Sequence, residues 1–377
     1  MSESVELSII LPCRNEEKAL PGCLKEIKQV LRNNHIKGEI IVSDSSQDSS
    51  PKIALQNKAI LVKHDKEGYG NAYLEAFKYA KGKYIFMADA DGSYDFSEIP
   101  RFLSLLKEGN DFVIGNRFSG GMEKESMPWH HKHIGNPLLS FILRLFFKAK
   151  IKDAHSGMRA IKKEALDKLN LRTTGMEFAS EMIIKATSSR LKIKETAISY
   201  HKRKGKSKLK SFSDGWRHLR FMLLYAPKFL FFIPGIFLFF LGLLSFVLIY
   251  LGAITILGIT LFYHPLFLSS ALMIIGYQLL IFSLFAQSYA LNHLKEERPL
   301  VEKICKKITL EKASLLSLSM IVLGIIIYFS IFMKWIKTGF GELQEAKNAI
   351  LALTLIIIGT QTLSSAFMLS ILSIKER

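Results

Sequence analysis

The feature that most constrains the fold of this chain is a series of four long apolar runs in its C-terminal part. The run from Phe229 to Tyr250 contains no Asp, Glu, Lys or Arg. A helix needs about 20 apolar residues to cross roughly 30 Å of hydrocarbon, and each run is long enough to do so. The sequence therefore predicts four transmembrane helices arranged as two hairpins, at about 229–251, 265–290, 314–333 and 349–374.

The distribution of Lys and Arg predicts which side of the membrane each connection faces. The loop 292–312 between the two hairpins carries six basic residues, whereas the connection 252–264 within the first hairpin carries none. Loops that are rich in Lys and Arg remain in the cytoplasm. We therefore expect a multi-pass integral membrane protein whose N-terminal part lies in the cytosol.

The net charge of +18 is concentrated just before the first apolar run. Residues 201–228 hold nine Lys or Arg against the single acid Asp214. A basic strip in this place is typical of contact with anionic lipid headgroups, and no nucleic-acid-binding motif accompanies it. We therefore predict a membrane partner and no nucleic acid. Cys13, Cys23 and Cys305 show no metal-ligand spacing and are assigned no role.

Upstream of the basic strip, short apolar runs alternate with helical stretches. Strands are predicted at 7–11, 39–43, 60–62, 83–88 and 111–115, and helices near 20–32, 51–57 and 71–80. Strands that alternate with helices form right-handed βαβ units and a mostly parallel sheet. The sequence therefore predicts an α/β domain, whose ligands bind at the carboxyl ends of the strands.

A polar cluster follows each of the first four strands where the strand ends. The clusters span 12–17, 44–49, 66–72 and 89–92. Separately, each has a structural alternative, since Asp48 or Ser49 suits a helix N-cap and Gly68 and Gly70 suit a tight turn. Together, four clusters at one edge of a sheet indicate a shared binding site.

The fourth cluster contains a pair of carboxylates, Asp89 and Asp91. Side chains two residues apart on an extended strand share a face, so both can approach one cation. Mg2+ or Mn2+ held by one or two carboxylates keeps positions open for substrate phosphates. An acidic turn is the alternative interpretation. An EF-hand is excluded, because Tyr94 stands where that loop needs Gly and Pro100 where it needs Glu.

The order of these motifs resembles a known family. Pro-x-x-Asn-Glu-Glu from Pro12, Asp-x-Ser-x-Asp-x-Ser from Asp44, Gly-x-Gly-Asn-Ala from Gly68 and Ala-Asp-Ala-Asp-Gly from Ala88 resemble the GT-A domain of family 2 glycosyltransferases. Three later strings narrow the resemblance to the polyprenyl-phosphate branch, typified by dolichyl-phosphate mannose and glucose synthases. They are Gly115-Asn116-Arg117-Phe118, Ser156-Gly157-Met158-Arg159 and Met176-Glu177-Phe178-Ala179-Ser180-Glu181. The resemblance implies a Rossmann-like GT-A domain at 1–210.

The resemblance also implies roles for the clustered residues. The residues expected to bind the nucleotide sugar are Pro12, Asn15, Glu16, Asp44, Lys66, Gly68, Gly70 and Asp89. Asp89 and Asp91 would hold the divalent cation, and Asp91 would be the more direct ligand. Many relatives have Gln two residues after the second Asp, where this chain has Ser93. We therefore expect Ser93 as the third metal ligand, through its hydroxyl or a water.

In this branch of the family the acceptor is a polyprenyl phosphate, which is a nucleophile at pH 7 without a general base. Arg117 resembles the arginine that binds the acceptor phosphate, and with Asp89 and Asp91 it completes the predicted catalytic set. Further candidates for the acceptor phosphate are His131, Lys132, His201 and Lys202, together with Ser207 and Lys208 in a segment that resembles the mobile acceptor loop. For each of these further residues a solvated surface charge is the alternative.

Two segments are predicted to lie in the headgroup layer of the membrane. Residues 137–150 and the juxtamembrane segment 211–228 both combine apolar side chains with basic ones, as interfacial helices do. For the first segment, a core helix is the alternative.

These patterns predict an enzyme that transfers a single hexose, with inversion, from a nucleotide sugar of the GDP-mannose or UDP-glucose type. The acceptor would be a dolichyl or undecaprenyl phosphate at the cytosolic leaflet, the cofactor Mg2+ or Mn2+, and a homo-oligomer is possible through the hairpins. A processive polysaccharide synthase is disfavoured because no Gln-x-x-Arg-Trp string occurs. A transporter or flippase with a nucleotide-sensing domain is disfavoured because the spans are nearly free of ionisable residues.

Overall fold

The computed structural model describes residues 5–205, 211–252, 254–256, 259–292, 303 and 309–374. It contains two compact units, Met1–Tyr225 and Ala226–Arg377. In chain order the strands and helices of the first unit are β1 (Leu7–Cys13), α1 (Leu20–Asn33), β2 (Gly38–Asp44), α2 (Ser50–Gln56), β3 (Ile60–Lys63), α3 (Tyr69–Phe77), β4 (Tyr84–Met87), α4 (Ile99–Lys107), β5 (Phe112–Asn116), α5 (Arg117–Gly120), α6 (Asn136–Phe147), β6 (Arg159–Lys162), α7 (Lys163–Leu169), α8 (Phe178–Ser188), β7 (Ile193–Ala197) and α9 (Ser211–Tyr225).

A seven-stranded sheet with the order β3-β2-β1-β4-β6-β5-β7 forms the centre of the first unit. Strands β1 to β4 pair in parallel, and so do β5 and β7, whereas β6 is antiparallel to both of its neighbours. The predicted α/β fold with a mostly parallel sheet is confirmed. Strands β6 and β7 are not predicted from the sequence, because these short strands carry charged residues that interrupt an apolar run.

Strand β1 shows how the sheet is buried on both faces. Ile9 and Leu11 point into a core shared with α1 and α4, while Ile10 points into a second core shared with α3 and α8. Alternate side chains of a strand project to opposite faces, so a strand covered on both sides reads as a continuous apolar run. This explains the near-unbroken apolar sequence of β1.

The register of the parallel strands places their carboxyl ends at one edge of the sheet. Cys13 at the end of β1 is paired with Asp44 at the end of β2, and Ile10 is paired with Met87 at the end of β4. The residues that follow these strands therefore emerge side by side.

The two predicted interfacial segments form helices α6 and α9, and both belong to the first unit. Leu143 of α6 and Met222 of α9 are buried in the same core, and the two helices contact each other. One face of each helix is therefore part of the domain core.

The second unit consists of long apolar helices. They are α10 (Ile233–Leu251, preceded by a single wide turn, Lys228–Phe232), α11 (His264–Asn292), α12 (Leu310–Lys337) and α13 (Ala346–Leu372). Four segments, Lys228–Leu251 and these last three helices, are long and apolar enough to cross a membrane. The predicted helical region with four candidate spans is therefore confirmed, and each helix begins and ends within four residues of the predicted run. The short antiparallel strands β8 (Ile254–Ile256) and β9 (Ile259–Leu261) connect α10 to α11.

Small residues allow the apolar helices to approach closely within each pair. Helix α10 packs along α11, α12 packs along α13, and α11 also contacts α13. A Cβ added to Gly276 of α11 would lie 2.3 Å from the backbone nitrogen of Phe239 in α10. Such close approach supplies the van der Waals contact that holds membrane helices together.

Candidate active site

The carboxylate pair Asp89 and Asp91 lies directly after β4, at the carboxyl edge of the sheet. Burial and the neighbouring Asp91 carboxylate raise the pKa of Asp89 to about 7, against the lowering effect of Tyr69, Arg117 and Arg203. Two carboxylates held together in a poorly solvated place repel each other, and a cation relieves that repulsion. The local electrostatics therefore favour a bound positive charge here.

Ser93 holds one oxygen of Asp91 in place. Its backbone nitrogen and its hydroxyl donate to Oδ1 of Asp91 at 3.0 and 2.5 Å, and the Ser93 side chain is fully buried. The hydroxyl thus orients Asp91, and a direct bond from Ser93 to a metal remains a prediction. Among the residues that the structure describes, no third Asp, Glu, His or Cys completes a metal-binding group with this pair.

The donor set nevertheless fits a hard divalent cation. Mg2+ and Mn2+ bind carboxylate oxygens and retain water or phosphate oxygens in their other positions. The carboxylates of Asp89 and Asp91 would supply the protein ligands, and Ser93 would fix the orientation of the second one.

Arg203 is a residue of this site that the sequence analysis missed. Its guanidinium lies 3.1 Å from Glu16 Oε1 and 3.6 Å from Asp91 Oδ2. It therefore bridges the cluster after β1 and the cluster after β4. Its only sequence signal is its place in the basic strip, next to the predicted residues His201 and Lys202.

The backbone around Arg203 is attached to the same strand end. The amide of His201 donates to the Ser93 carbonyl at 2.9 Å, and the amide of Lys204 donates to the Asp91 carbonyl at 2.8 Å. The segment 201–204 is consequently bonded to the backbone that carries Asp91 and Ser93.

The clusters after β1 and β2 form one continuous polar wall. The Asn15 amide nitrogen of the backbone donates to Ser46 Oγ at 2.7 Å, and Asn15 Oδ1 accepts from the Gln47 amide at 2.8 Å. Asp44 is fully buried, and it accepts from the Ser46 hydroxyl at 2.6 Å. Pro12 lies in β1, paired with Ser43 of β2. The structure thus brings Pro12, Asn15, Glu16 and Asp44 together, as predicted from the strand ends.

Gly68 and Gly70 have a packing reason that the sequence did not reveal. A Cβ on Gly68 would lie 2.2 Å from the Thr174 carbonyl oxygen, and one on Gly70 would lie 2.1 Å from that of Thr173. The Gly70 amide donates to the Gly175 carbonyl, so it is occupied within the protein. Lys66 is paired with Glu75 at 2.5 Å on the surface. Binding of the nucleotide sugar by these three residues remains a prediction.

Arg117 begins α5 at the end of β5 and is held in a buried fork. Its Nε and Nη2 donate to the two oxygens of Asp153, each at 2.8 Å, and its guanidinium lies 5.2 Å from the ring centre of Tyr200. Burial opposes the charge, but Asp153 outweighs it and raises the pKa of Arg117 well above its usual range. Arg117 therefore stays protonated and fixed in direction.

The other predicted acceptor-phosphate residues differ in their surroundings. His131 is half-buried, and burial, His130 and Arg117 lower its pKa. His201 faces Glu123, with 3.6 Å between Nδ1 and the carboxylate, and Lys202 is paired with Glu125 at 2.9 Å. Lys132 lies in the turn before α6. Ser207 and Lys208 lie outside the residues that the structure describes.

The loop from Asp153 to Gly157, which precedes β6, also contributes to the site. The Gly157 amide donates to the Tyr94 hydroxyl at 2.7 Å, and a Cβ on Gly157 would lie 2.5 Å from Asp89 Oδ2. Only glycine allows the loop backbone to approach Asp89 this closely. The loop therefore touches both Arg117 and Asp89, which are far apart in sequence.

A mostly parallel α/β sheet with paired carboxylates at its carboxyl edge, followed by four helices that are long and apolar enough to cross a membrane, is the arrangement of a GT-A domain joined to a membrane region. Residues 8–169 match the model of Glycosyl transferase family 2, and residues 285–373 match the Glycosyltransferase family 2 C-terminal transmembrane region. The chain belongs to glycosyl transferase family 2 and is a glycosyltransferase.

Three relatives show how far the similarity extends. "Low-salt glycan biosynthesis hexosyltransferase Agl6" of Haloferax volcanii is 38% identical over 96% of this chain and 88% of its own length. "Dolichyl-phosphate hexose transferase" of the same organism is 28% identical over 56% of this chain and 89% of its own. "UDP-N-acetylglucosamine--dolichyl-phosphate N-acetylglucosaminyltransferase" of Methanococcus voltae is 31% identical over 50% and 83%.

Proposed function

We propose that this protein transfers a single hexose from a nucleotide sugar to a polyprenyl phosphate at the cytosolic leaflet, with inversion and with Mg2+ or Mn2+. The observation that carries the proposal is the carboxylate pair of Asp89 and Asp91, flanked by Arg117 and Arg203 in one site. Two relatives named for transfer to dolichyl phosphate support the choice of acceptor.

The donor would bind along the wall formed by the clusters after β1 and β2. Carboxylates such as Glu16 and Asp44 accept hydrogen bonds from base N–H groups and ribose hydroxyls. The diphosphate would then lie toward Asp89 and Asp91. Bound divalent cation would neutralise the charge of the departing nucleoside diphosphate.

Arg203 would exchange its partners when the donor binds. In the structure its guanidinium is shared between Glu16 and Asp91. A diphosphate offers more negative charge and bidentate geometry for a guanidinium than either carboxylate alone. We therefore assign Arg203 to the leaving group, where it would stabilise the charge that develops as the sugar–phosphate bond breaks.

The acceptor phosphate would be guided by Arg117. Asp153 accepts from Nε and Nη2 of the guanidinium, so Nη1 would be the nitrogen that donates to a phosphate. One oxygen of the acceptor phosphate would attack the anomeric carbon while the bond from that carbon to the diphosphate breaks on the opposite face. A single displacement of this kind inverts the anomeric configuration, and no proton needs to be removed from the nucleophile.

An apolar face on α6 and α9 supports delivery of the acceptor from a membrane. On α6, Leu138, Phe141 and Leu145 are about half exposed at helical spacing. On α9, Phe212, Trp216 and Leu224 are 92%, 53% and 66% exposed. These six exposed residues, here called the apolar face of α6 and α9, lie on two helices that contact each other. Arg144, Arg217 and Arg220 on the same helices suit anionic headgroups.

The proposal is tested with purified protein in vesicles that contain polyprenyl phosphate. A panel of radiolabelled nucleotide sugars is supplied with Mn2+, with Mg2+ or with a chelator, and label is counted in the lipid phase. We expect one donor to label the lipid only with metal, and NMR of the product to show the anomer opposite to that of the donor. Label without metal, or a retained configuration, would contradict the metal and inversion assignments, and no label with any donor would contradict the transfer itself.

A further inference from the structure

The loop Asp153–Gly157, here called the catalytic loop, holds two residues of the site at once. Asp153 is fully buried and accepts hydrogen bonds from Nε and Nη2 of Arg117 and from the Arg117 backbone amide, the last at 3.0 Å. Gly157 lies against the Asp89 carboxylate. Any displacement of this loop therefore moves the residue assigned to the acceptor phosphate relative to the residue assigned to the cation.

The other side of the catalytic loop is bonded to helix α6. The Ala154 amide donates to the buried hydroxyl of Ser140 at 3.2 Å, and two residues before the loop the Ile151 carbonyl accepts from the Arg144 guanidinium at 3.1 Å. Helix α6 carries half of the apolar face on its exposed side. One helix of that face is thus attached directly to the loop.

The second helix of the apolar face, α9, reaches the loop through two histidines and a serine. His155 Nε2 lies 3.3 Å from the Ser180 hydroxyl of α8, which lies 2.8 Å from His218 Nδ1 of α9. The two imidazole rings meet edge to face, with centres 4.5 Å apart. Ser180 and His218 are buried, so water has little access to the bond between them.

Arg159 joins the backbone of the catalytic loop to helix α8, so we expect a movement of α8 to displace the loop. Arg159 is buried and donates to the carbonyls of Ser156 at 2.7 Å, Ala154 at 2.8 Å and, on α8, Ala179 at 3.0 Å. These bonds fix the backbone of the loop to the same helix that carries Ser180. The loop, α8 and α9 are consequently connected by a short series of directional bonds.

We propose that His155, Ser180 and His218 form a positioning chain through which the seating of α9 on a lipid surface sets the geometry of the catalytic loop. The inference rests on the proposed function only for its input, the lipid surface. None of the three residues contacts the carboxylate pair in this account. They act through Asp153 and Gly157, and are positioning residues.

Hydrogen–deuterium exchange of the full-length protein in vesicles tests the positioning chain without any need for catalytic turnover. Ser180→Ala removes the bridging hydroxyl with little loss of volume, and Ser188→Ala on the exposed end of α8 is the matched control. We expect Ser180→Ala to raise the exchange rate of the peptide 153–158 by about 10-fold, since lost bonds lower the free energy of local opening, and Ser188→Ala to leave it unchanged. Unchanged exchange in Ser180→Ala would overturn the proposal.

A second experiment tests whether the apolar face of α9 affects the geometry of the catalytic loop. Trp216→Gln makes the face of α9 polar, and we expect it to raise exchange of the same peptide in the wild-type background. In the Ser180→Ala background the chain is already interrupted, so Trp216→Gln should add little, because coupled residues are not additive. Fully additive effects of the two substitutions would contradict the coupling between α9 and the loop.

Kinetics separate positioning from a general loss of stability. Per folded molecule, we expect Ser180→Ala to lower kcat by about 10-fold with the donor KM within about 2-fold, because misplaced catalytic groups cost rate more than binding. His218→Asn keeps a polar group near Nδ1 and should restore most of the rate that His218→Phe loses. A purely structural role would lower the melting temperature while leaving kcat per folded molecule unchanged. The wild type could transfer no sugar while the exchange results match the expectation. That outcome would contradict the proposed function but support the positioning chain.

Discussion

At the scale of single residues, the site depends on side chains whose neighbours fix them before any substrate arrives. Asp91 is held by Ser93, Arg117 is held by Asp153, and Asp89 is confined by the backbone of Gly157. Preorganisation of this kind reduces the reorganisation that a reaction requires. We therefore expect substitutions of Ser93, Asp153 or Gly157 to lower the rate as well as the stability.

Arg203 gives the sharpest prediction at this scale. If it stabilises the departing diphosphate, Arg203→Ala should lower kcat/KM for the donor by about 100-fold, as loss of a charge-stabilising donor commonly does. Arg32→Ala, which removes an exposed arginine of α1, is the matched control and should leave kcat/KM unchanged. Initial rates at varied donor concentration measure both. Wild-type kcat/KM in Arg203→Ala would remove this residue from the reaction.

The glycines of the third cluster give a matched pair for stability. Gly70→Ala forces a methyl group to 2.1 Å from the Thr173 carbonyl oxygen, whereas Gly22 on α1 has no atom within 4 Å of an added Cβ. We expect Gly70→Ala to destabilise the first unit by about 1–3 kcal/mol, as overpacking does. Gly22→Ala should stabilise it by about 0.4–1 kcal/mol, because alanine restricts the unfolded chain. Denaturant unfolding of both variants decides, and equal stabilities would contradict the packing argument.

At the scale of elements, the buried histidines of α9 and the catalytic loop make stability depend on pH. Burial and the nearby cation of Arg159 lower the pKa of His218 to about 4. Burial, His218, Arg159 and Arg117 lower the pKa of His155 well below its usual range. Both imidazole rings are therefore neutral in the folded protein, and protonating them opposes folding.

The sign and the pH window follow from these shifts. Unfolded His218 titrates near pH 6.5 and folded His218 near pH 4, so between these values the unfolded chain binds more protons. The contribution of neutral His218 to the free energy of unfolding is fully present above about pH 6.5. It decreases by about 3 kcal/mol as the pH is lowered toward 4. Melting temperatures of wild type and His218→Phe should converge as the pH falls through the window. A constant difference between them would contradict the assignment.

The elements also show what the sequence permits one to predict. Strands β1 to β5, α6, α9 and the four spans follow from local apolar patterns, and the clusters at the carboxyl ends follow from parallel topology. The bond from Gly157 to Tyr94, the bridge of Arg203 and the contact of Gly70 with Thr173 join residues distant in the chain, and no local pattern marks them. Strands β6 and β7 were missed for the related reason that pairing with neighbours, rather than apolar composition, makes them strands.

At the scale of the whole molecule, the first unit carries the candidate active site and the second consists of apolar helices. Both would serve transfer of a sugar to a lipid phosphate. A polyprenyl phosphate carries its reactive group at the membrane surface, so an enzyme that uses it benefits from permanent membrane anchorage. The four apolar helices, which are long enough to cross a membrane, would provide the anchorage, and the apolar face of α6 and α9 would bring the site to the headgroup layer.

Orientation is a testable property at this scale. We expect a cysteine at exposed Ser188 to react with a membrane-impermeant maleimide only after intact cells are opened, since the first unit is predicted to be cytosolic. The matched position is Gly339, in the connection within the second hairpin, where a cysteine should react in intact cells. Both assays use a background in which Cys13, Cys23 and Cys305 are replaced by serine. Labelling of Ser188→Cys in intact cells would contradict the predicted cytosolic location of the first unit.

The most direct test of the central claim is transfer of labelled sugar to polyprenyl phosphate in vesicles by Asp91→Asn, compared with Asp167→Asn on an exposed face of α7. Asn keeps the shape of Asp91 but lacks the charge that a divalent cation needs. We expect Asp91→Asn to lose at least about 100-fold in kcat with Mn2+ or Mg2+, and Asp167→Asn to match the wild type. Full transfer by Asp91→Asn would contradict a metal-dependent glycosyl transfer at this carboxylate pair.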